Sequence, residues 1–197
     1  MTKARILIVE NERIVAEDIK RTLLSLGYDP VGIAMNSADA LRLAKEQQPD
    51  LVLMDIVLGG DDDGIQIAHW IRSRFGMPVI YLTAYADNKT LESVKVTEPF
   101  GYILKPFNEL DLRTHIEIAL YKHKIECRLK ESQEELRVLF EYATDAILIH
   151  DLDGRLLNAN RTACNRLGYI KEDLCQYNIR DVSCPEFSKL IVDFIDK

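Results

Sequence analysis

The sequence lacks a long apolar run and lacks an excess of basic residues. Its apolar runs, such as Leu51–Met54, are far shorter than the ~20 residues that a membrane-spanning helix needs. The 197 residues carry a net charge of −7, and no Lys/Arg cluster stands out along the chain. We therefore expect neither a membrane partner nor a nucleic-acid partner, since nucleic-acid binding generally needs a basic face.

Cysteine is scarce and scattered. The four cysteines form no Cys-x-x-Cys pair, which disfavours a metal cluster or a disulfide framework and favours reduced thiols: Cys127, Cys164, Cys175 and Cys184. The N-terminus offers Ile6–Val9 as its apolar stretch, which is too short for the core of a signal peptide. Because 47% of residues are hydrophobic and 29% are charged, we expect an ordinary globular protein in the cytoplasm.

Short apolar runs alternate with helical patterns over the first 120 residues. The runs are bounded by turn residues and read as buried strands at 5–9, 31–34, 51–55, 78–82 and 100–104. Apolar residues at helical spacing fill the intervals between them. The alternation predicts an α/β fold with a doubly wound, five-stranded parallel sheet.

Polar residues follow four of these strands at the point where each strand ends. Glu10 and Asn11 follow the first strand, Asp55 ends the third, Thr83 follows the fourth and Lys105 follows the fifth. Carboxyl ends of parallel strands meet at one edge of a sheet, so these groups are expected to converge. Clustered oxygens can hold Mg²⁺, and a hydroxyl and an ammonium can each take a phosphoryl oxygen. This set predicts phosphoryl transfer to Asp55.

Residues 3–121 resemble the receiver domain of two-component response regulators. Four motifs carry the resemblance, namely Val9–Glu12, Leu53–Asp55, Leu82–Ala84 and Gly101–Phe107. The resemblance implies a flavodoxin-like sheet with strand order 2-1-3-4-5. It also implies that the domain receives its phosphoryl group from a sensor histidine kinase or a phosphotransfer protein.

The resemblance implies a role for each motif residue. Asp55 would be the phosphoacceptor, Lys105 would bind the phosphoryl group and Thr83 would be the switch hydroxyl. Tyr102 would be the switch aromatic residue, and the Lys105–Pro106 bond would be cis. Mg²⁺ would be held by four groups, namely Glu10, Asn11, Asp55 and the backbone carbonyl of Val57.

Two positions depart from the family pattern. Asn11 stands where the family usually has a metal-binding aspartate, and the lost charge costs on the order of a few kcal/mol of attraction at an effective dielectric near 20. We therefore expect weakened Mg²⁺ binding. The loop Gly59–Asp63 lacks the usual proline and is one residue longer than usual. Its three aspartates are expected to be solvated, and the alternative is that they partly restore the missing charge.

Apolar residues continue at heptad spacing beyond the receiver. Steps of three, four and seven connect Ile118, Ile125, Leu129, Leu136, Leu139 and Ala143. Lys122 and Ser132 occupy two positions of this seam and make it imperfect. The spacing predicts a homodimer through a helix over residues 108–143. A single helix packed on its own domain is the alternative.

The last part of the chain resembles the start of a PAS sensor domain. The features that carry this resemblance are the turn Asp151–Gly154, the helix entry Asn158–Asn160 and the helix exit Leu167–Tyr169. A PAS fold normally continues with another helix and three strands. We therefore predict three parts: a receiver over 1–121, a helical linker and coiled coil over 122–140, and an incomplete PAS-like segment over 141–197. No organic cofactor site is predicted.

These interpretations predict phosphorelay signalling. Phosphorylation of Asp55 would change the surface formed by a helix near 87–96, the fifth strand and the following helix, and would signal through the linker to the PAS module. The expected chemistry is at most self-phosphorylation from a donor and self-dephosphorylation. The alternative is a phosphorylation-independent interaction and dimerisation module, in which Asn11 weakens Mg²⁺ binding. A haloacid-dehalogenase-like phosphatase is disfavoured, because Glu10–Glu12 does not supply its nucleophile pattern.

Overall fold

The computed structural model describes residues 3–58, 63–84 and 100–182. The chain divides into two compact units, Met1–Cys127 and Arg128–Lys197. The helices and strands of the first unit, in chain order, are β1 (Arg5–Val9), α1 (Arg13–Ser25), β2 (Asp29–Ala34), α2 (Ser37–Gln47), β3 (Leu51–Asp55), α3 (Gly64–Phe75), β4 (Val79–Thr83), β5 (Gly101–Leu104) and the first part of α4 (Glu109–Glu141). The strands form one sheet in the order β2-β1-β3-β4-β5, with every neighbouring pair parallel. The predicted fold class and strand order are confirmed.

Both faces of the sheet are covered, which explains why its central strands are apolar throughout. All five residues of β3 and of β4 are buried. Alternate residues point to opposite faces. Leu7 and Val9 of β1 therefore pack in a core with α2 and α3, whereas Ile6 and Ile8 pack in a second core with α1 and α4.

The strand register brings the carboxyl ends of four strands to one edge. Val9 pairs with Met54, Asp55 with Leu82, and Thr83 with Leu104. Each of the predicted functional positions therefore lies within one or two residues of the same edge, which we call the carboxyl edge. The opposite edge is called the amino edge.

The helix α3 begins directly after the acidic loop. The Asp63 carboxylate accepts a hydrogen bond from the Ile65 N–H at 2.8 Å and caps the helix. Asp63 is exposed and also serves as the helix cap, so its exposure agrees with the expected solvated loop. Residues 59–62 and the predicted helix near 87–96 lie outside the described residues.

In the described part of the second unit, a small antiparallel hairpin and three short helices follow α4. Its elements are β6 (Leu148–His150), β7 (Leu156–Ala159), α5 (Arg161–Leu167), α6 (Lys171–Leu174) and α7 (Ile179–Val182). Their small core contains Leu156, Ala159, Ala163 and Leu174. The buried Asn160 side chain ties the parts together, because it accepts hydrogen bonds from the N–H groups of Ile147 and Ala163 and donates to the Asp145 carbonyl.

The long helix α4 belongs partly to each unit. The Asn108 side chain caps its start by accepting a hydrogen bond from the Asp111 N–H at 2.9 Å. The helix ends at Glu141, so Ala143 lies outside it, although we predicted helix up to 143. Just beyond the helix end, the Thr162 hydroxyl donates a hydrogen bond to the Ala143 carbonyl at 2.6 Å.

The described residues bear on two predictions, which concern the cysteines and membrane-spanning helices. Cys127, Cys164 and Cys175 are free and partly buried, as predicted, and Cys184 lies outside the described residues. Among the helices described, none combines the length and the apolar character that crossing a bilayer requires.

Candidate functional site at the carboxyl edge

An ion-pair network connects three of the predicted strand-end residues. The Lys105 Nζ lies 2.7 Å from the Asp55 Oδ2 and 2.5 Å from the Glu10 Oε2. These residues come from the ends of β5, β3 and β1, so the network crosses the middle of the sheet. One ammonium therefore holds two carboxylates, and the network keeps one uncompensated negative charge.

The network is largely buried, and Lys105 is its most exposed member. Glu10 is fully buried, whereas Asp55 is 7% exposed and the Lys105 side chain is 21% exposed. Burial raises the pKa of Glu10, and the hydrogen bond from Lys105 opposes this effect. Burial lowers the pKa of Lys105, but the bonds to Asp55 and Glu10 outweigh it and leave this pKa above its usual value. The lysine is therefore held in its charged form.

Backbone groups fix the second oxygen of each carboxylate. The Val57 N–H donates to the Asp55 Oδ1 at 3.0 Å, and the Glu12 N–H donates to the Glu10 Oε1 at 3.1 Å. The Lys105 N–H also donates to the Thr83 carbonyl at 2.7 Å. These bonds orient the side chains before any ligand arrives. The Lys105–Pro106 bond is cis, as the resemblance implied.

The two predicted switch residues differ in exposure. Thr83 ends β4 and is 5% exposed, whereas Tyr102 lies on β5 and is 47% exposed. Tyr102 pairs across the strands with Tyr81. The structure thus places a buried hydroxyl and an exposed ring on adjacent strands at the carboxyl edge.

Gly64 is a site-supporting residue that the sequence analysis missed. A Cβ at this position would lie 2.1 Å from the Asp55 carbonyl oxygen and 2.9 Å from the Ile56 carbonyl oxygen. The Gly64 N–H donates to that Ile56 carbonyl at 3.2 Å. The start of α3 is therefore pressed against the end of β3, and only glycine allows this approach.

The donor set fits a hard cation that prefers oxygen. Glu10 and Asp55 supply carboxylate oxygens, Asn11 supplies an amide oxygen and Val57 a carbonyl oxygen, which are the ligand types that Mg²⁺ takes. In residues 3–58, 63–84 and 100–182, no three His, Cys, Asp or Glu residues form a group that could hold a metal. The set therefore depends on the amide and the carbonyl for half of its ligands.

Two family models match the chain. The response regulator receiver domain model matches residues 6–117, and the PAS domain model matches residues 134–195. Together these models cover the carboxyl-edge site, most of α4 and the hairpin of the second unit.

Curated relatives and solved structures match a large part of the chain. The chain is 34% identical over 120 residues to the transcriptional regulatory protein PdtaR of Mycobacterium tuberculosis, covering 61% of this chain and 58% of the relative. It is 31% identical over 144 residues to the transcriptional regulatory protein YvrH of Bacillus subtilis, covering 73% and 59%. The chain thus spans less than two thirds of each relative.

Among solved structures, the signal receiver domain of a modulated diguanylate cyclase from Desulfovibrio desulfuricans is 37% identical with a TM-score of 0.60, covering 64% of this chain and 99% of that one. The N-terminal domain of a response regulator/sensory box/GGDEF protein from Carboxydothermus hydrogenoformans is 35% identical with a TM-score of 0.57, covering 62% and 98%. Both are similar to the receiver portion of this chain.

Proposed function

Because this chain belongs to the response regulator receiver family and carries a PAS domain after the receiver, we propose that it takes part in two-component signal transduction by accepting a phosphoryl group on Asp55. The donor would be a sensor histidine kinase or a phosphotransfer protein. The contact of 2.7 Å between Asp55 and Lys105 at the carboxyl edge is the observation that carries this proposal. It supports the proposal because an ammonium next to the Asp55 carboxylate could hold an oxygen of the incoming phosphoryl group.

The transfer is a displacement at phosphorus. A carboxylate oxygen of Asp55 forms the new O–P bond while the N–P bond of a phosphohistidine donor breaks. The donor nitrogen keeps the electron pair of that bond and takes up a proton. Lys105 and the Thr83 hydroxyl each hold a phosphoryl oxygen, and Lys105 neutralises part of the added charge.

Mg²⁺ is the implied cofactor, and four groups would hold it, namely Glu10, Asn11, Asp55 and the Val57 carbonyl. When bound, the metal would neutralise charge on the phosphoryl group. The buried Glu10 carboxylate and the backbone-fixed Asp55 carboxylate provide two negative charges for it. Asn11 provides an oxygen without a charge, so this site is expected to bind Mg²⁺ weakly.

The signal would leave the site through its neighbours on β4 and β5. A phosphoryl group held by Thr83 and Lys105 favours the conformation in which these contacts form, which is a population shift. Tyr102 would move with Thr83, and the surface around β5 and α4 would change. For this signalling route we propose the domain boundaries predicted above: the receiver spans residues 1–121, the linker residues 122–140 and the PAS-like segment residues 141–197.

The linkers of two copies of the chain would associate and form a homodimer. The seam residues Ile118, Leu129 and Leu136 are 56%, 58% and 64% exposed on α4, so among the residues that the structure describes this apolar stripe is largely uncovered. A second copy would bury the stripe as a coiled coil. Leu136→Asp is then expected to shift the protein from dimer to monomer in analytical ultracentrifugation. Lys130→Asp, which lies off the seam of the same helix, should leave the dimer intact.

The phosphorylation proposal is tested by incubating the chain with acetyl phosphate and Mg²⁺, followed by intact mass measurement and peptide mapping. One added phosphoryl group on the peptide that contains Asp55 is expected, and Asp55→Asn should abolish it. Asp29→Asn, which removes an exposed aspartate from β2, is the matched control and should be labelled normally. Labelling at another residue, or none at saturating Mg²⁺, would contradict the proposal.

Asn11 motivates a second candidate function, a phosphorylation-independent interaction and dimerisation module. The specific observation is that the described residues offer no group of three His, Cys, Asp or Glu side chains for a metal. In this case the dimer forms equally well with and without a phosphoryl donor. Since both functions include a dimer, the labelling experiment separates them: the second function predicts no label on Asp55 from acetyl phosphate, even at saturating Mg²⁺.

A further inference from the structure

A large basic cleft opens at the amino edge of the sheet, opposite the phosphorylation site. Its volume is about 940 Å³, and segments from β1, α2, α3 and α4 line it. Five cationic side chains line this amino-edge cleft, namely Lys3, Arg5, Lys45, Arg74 and Lys124. They are far apart in the sequence, and only the fold brings them together.

The positive charge of the cleft is not balanced by its own walls. Asp50 is the one acidic residue among those lining it, and its carboxylate accepts the Arg5 backbone N–H at 2.7 Å. The C-terminal ends of α2 and α3 contribute about half a negative charge each, which with Asp50 still leaves an excess of about three positive charges. This excess lies on a chain whose net charge is −7.

Within the described part of the chain, the five cations of the cleft also take part in no ion pair. None of the ion pairs found in the described ranges involves any of the five. The Arg5 guanidinium reaches neutral oxygens, the Gln48 carbonyl and the Gln47 side chain, each at 3.4 Å. Long contacts to neutral acceptors leave a guanidinium available for a stronger, charged partner.

Apolar residues also line the cleft, and we call this set the apolar floor. It consists of Pro49, Phe75, Met77, Pro78 and Leu120. Binding sites for small molecules combine such apolar walls with a few polar groups, in volumes of about 300–1,000 Å³. A ligand for this cleft therefore needs several negative charges and a flat apolar part.

We infer that the amino-edge cleft binds a nucleotide that carries two or more phosphates. The phosphates meet the cations at the rim, and the base packs on the apolar floor. A longer nucleic acid fits less well, because it needs an extended basic face and the chain as a whole has a negative net charge. The site is independent of the proposed phosphorylation, since it shares no residue with the carboxyl edge.

Isothermal titration of the full chain with ATP and GTP tests this inference. EDTA is present, so that no metal at the carboxyl edge contributes heat. Saturable binding of at least one nucleotide is expected, with tripolyphosphate at least about tenfold weaker and the free nucleoside showing no measurable binding, because both the charges and the base contribute. Affinity should also fall as salt rises.

Two charge-reversal variants and a matched control locate the site. Arg74→Glu and Lys124→Glu should each weaken binding by about tenfold or more, because each replaces an attraction with a repulsion. Arg128→Glu makes the same charge change on α4 outside the cleft and should change the affinity less than about twofold. Labelling of Asp55 by acetyl phosphate should persist in all three variants and shows that the receiver is folded.

Three results would overturn the inference. If no nucleotide binds saturably in low salt, the cleft is not a nucleotide-binding site. If tripolyphosphate and ATP bind with equal affinity, the base does not contribute to binding and the apolar floor does not contact it. Equal weakening by Arg128→Glu and Lys124→Glu shows a general charge effect and removes the cleft as the location.

Discussion

The two edges of the receiver sheet use their charged residues in opposite ways. At the carboxyl edge, two carboxylates and one ammonium form a buried network with contacts of 2.5 and 2.7 Å. At the amino edge, five cations line a cleft and form no ion pair within the described residues. At the first edge most of the charge is compensated within the network, whereas at the second edge the cations are available to a negatively charged partner.

This difference has an energetic consequence. Charges in a buried network depend on one another, because removing one partner leaves the others desolvated without compensation. Exposed cations are solvated by water and contribute little to stability. Substitutions at the carboxyl edge should therefore change folding stability strongly, whereas substitutions at the amino edge should change ligand binding.

The largest expected effect is on stability after Lys105→Ala. Glu10 and Asp55 would then face each other without their shared cation, and the free energy of unfolding should fall by about 3–5 kcal/mol. Urea unfolding of the full chain measures the loss. The only tryptophan, Trp70, lies on α3 and reports on the first unit.

Lys45→Ala is the matched substitution at the amino edge. Lys45 lies in the last turn of α2, where its favourable interaction with the helix end is worth less than about 1 kcal/mol. A loss of similar size in both variants would contradict the contrast between the two edges.

Most of the carboxyl edge could be predicted from the sequence, and the amino edge could not. At the carboxyl edge each functional group directly follows an apolar strand, so the parallel topology alone brings Glu10, Asp55 and Lys105 together. The amino-edge cations come from segments between Lys3 and Lys124, with no motif that links them. As we noted, no Lys/Arg cluster stands out along the sequence. In the folded structure, however, these five cations line one cleft.

Local contacts account for the other differences. The end of α4 was predicted two residues late, because the heptad spacing continues to Ala143 although the helix ends at Glu141. The need for Gly64 depends on the path of α3 against β3, which no residue spacing encodes. Asp63 had a recognisable signal, since an aspartate directly before a helix is a common cap.

The next largest effect is on metal affinity after Asn11→Asp. The added carboxylate restores a negative charge next to Glu10, and Mg²⁺ binding should tighten by at least about tenfold, because a nearby opposite charge is worth more than 1.4 kcal/mol at an effective dielectric near 20. Mg²⁺ titration followed by Trp70 fluorescence measures the change. Unchanged affinity would show that residue 11 does not face the metal, and Asn36→Asp serves as the control with the same charge change.

The smallest expected effect is on how the free energy of unfolding depends on pH, and it arises from the cost of burying the Glu10 carboxylate. Because burial raises the pKa of this carboxyl, the folded protein keeps a proton that the unfolded chain loses near its ordinary pKa of 4.5. Stability from this group therefore falls as pH rises from 4.5 through the folded pKa, and the full cost is present above it. The pKa of Lys105 is also raised, so its contribution is complete below 10.5 and adds no slope at neutral pH.

Glu10→Gln removes this cost and leaves Lys105 paired with Asp55 alone. The variant should gain on the order of 1 kcal/mol over the parent protein at pH 7.5, and the gain should vanish near pH 4, where Glu10 is protonated in both states. Urea unfolding at the two pH values measures the difference, again through Trp70. A variant that is less stable at pH 7.5 would show that the bond from Lys105 exceeds the cost of burial, and that the carboxyl edge needs both of its carboxylates to remain folded.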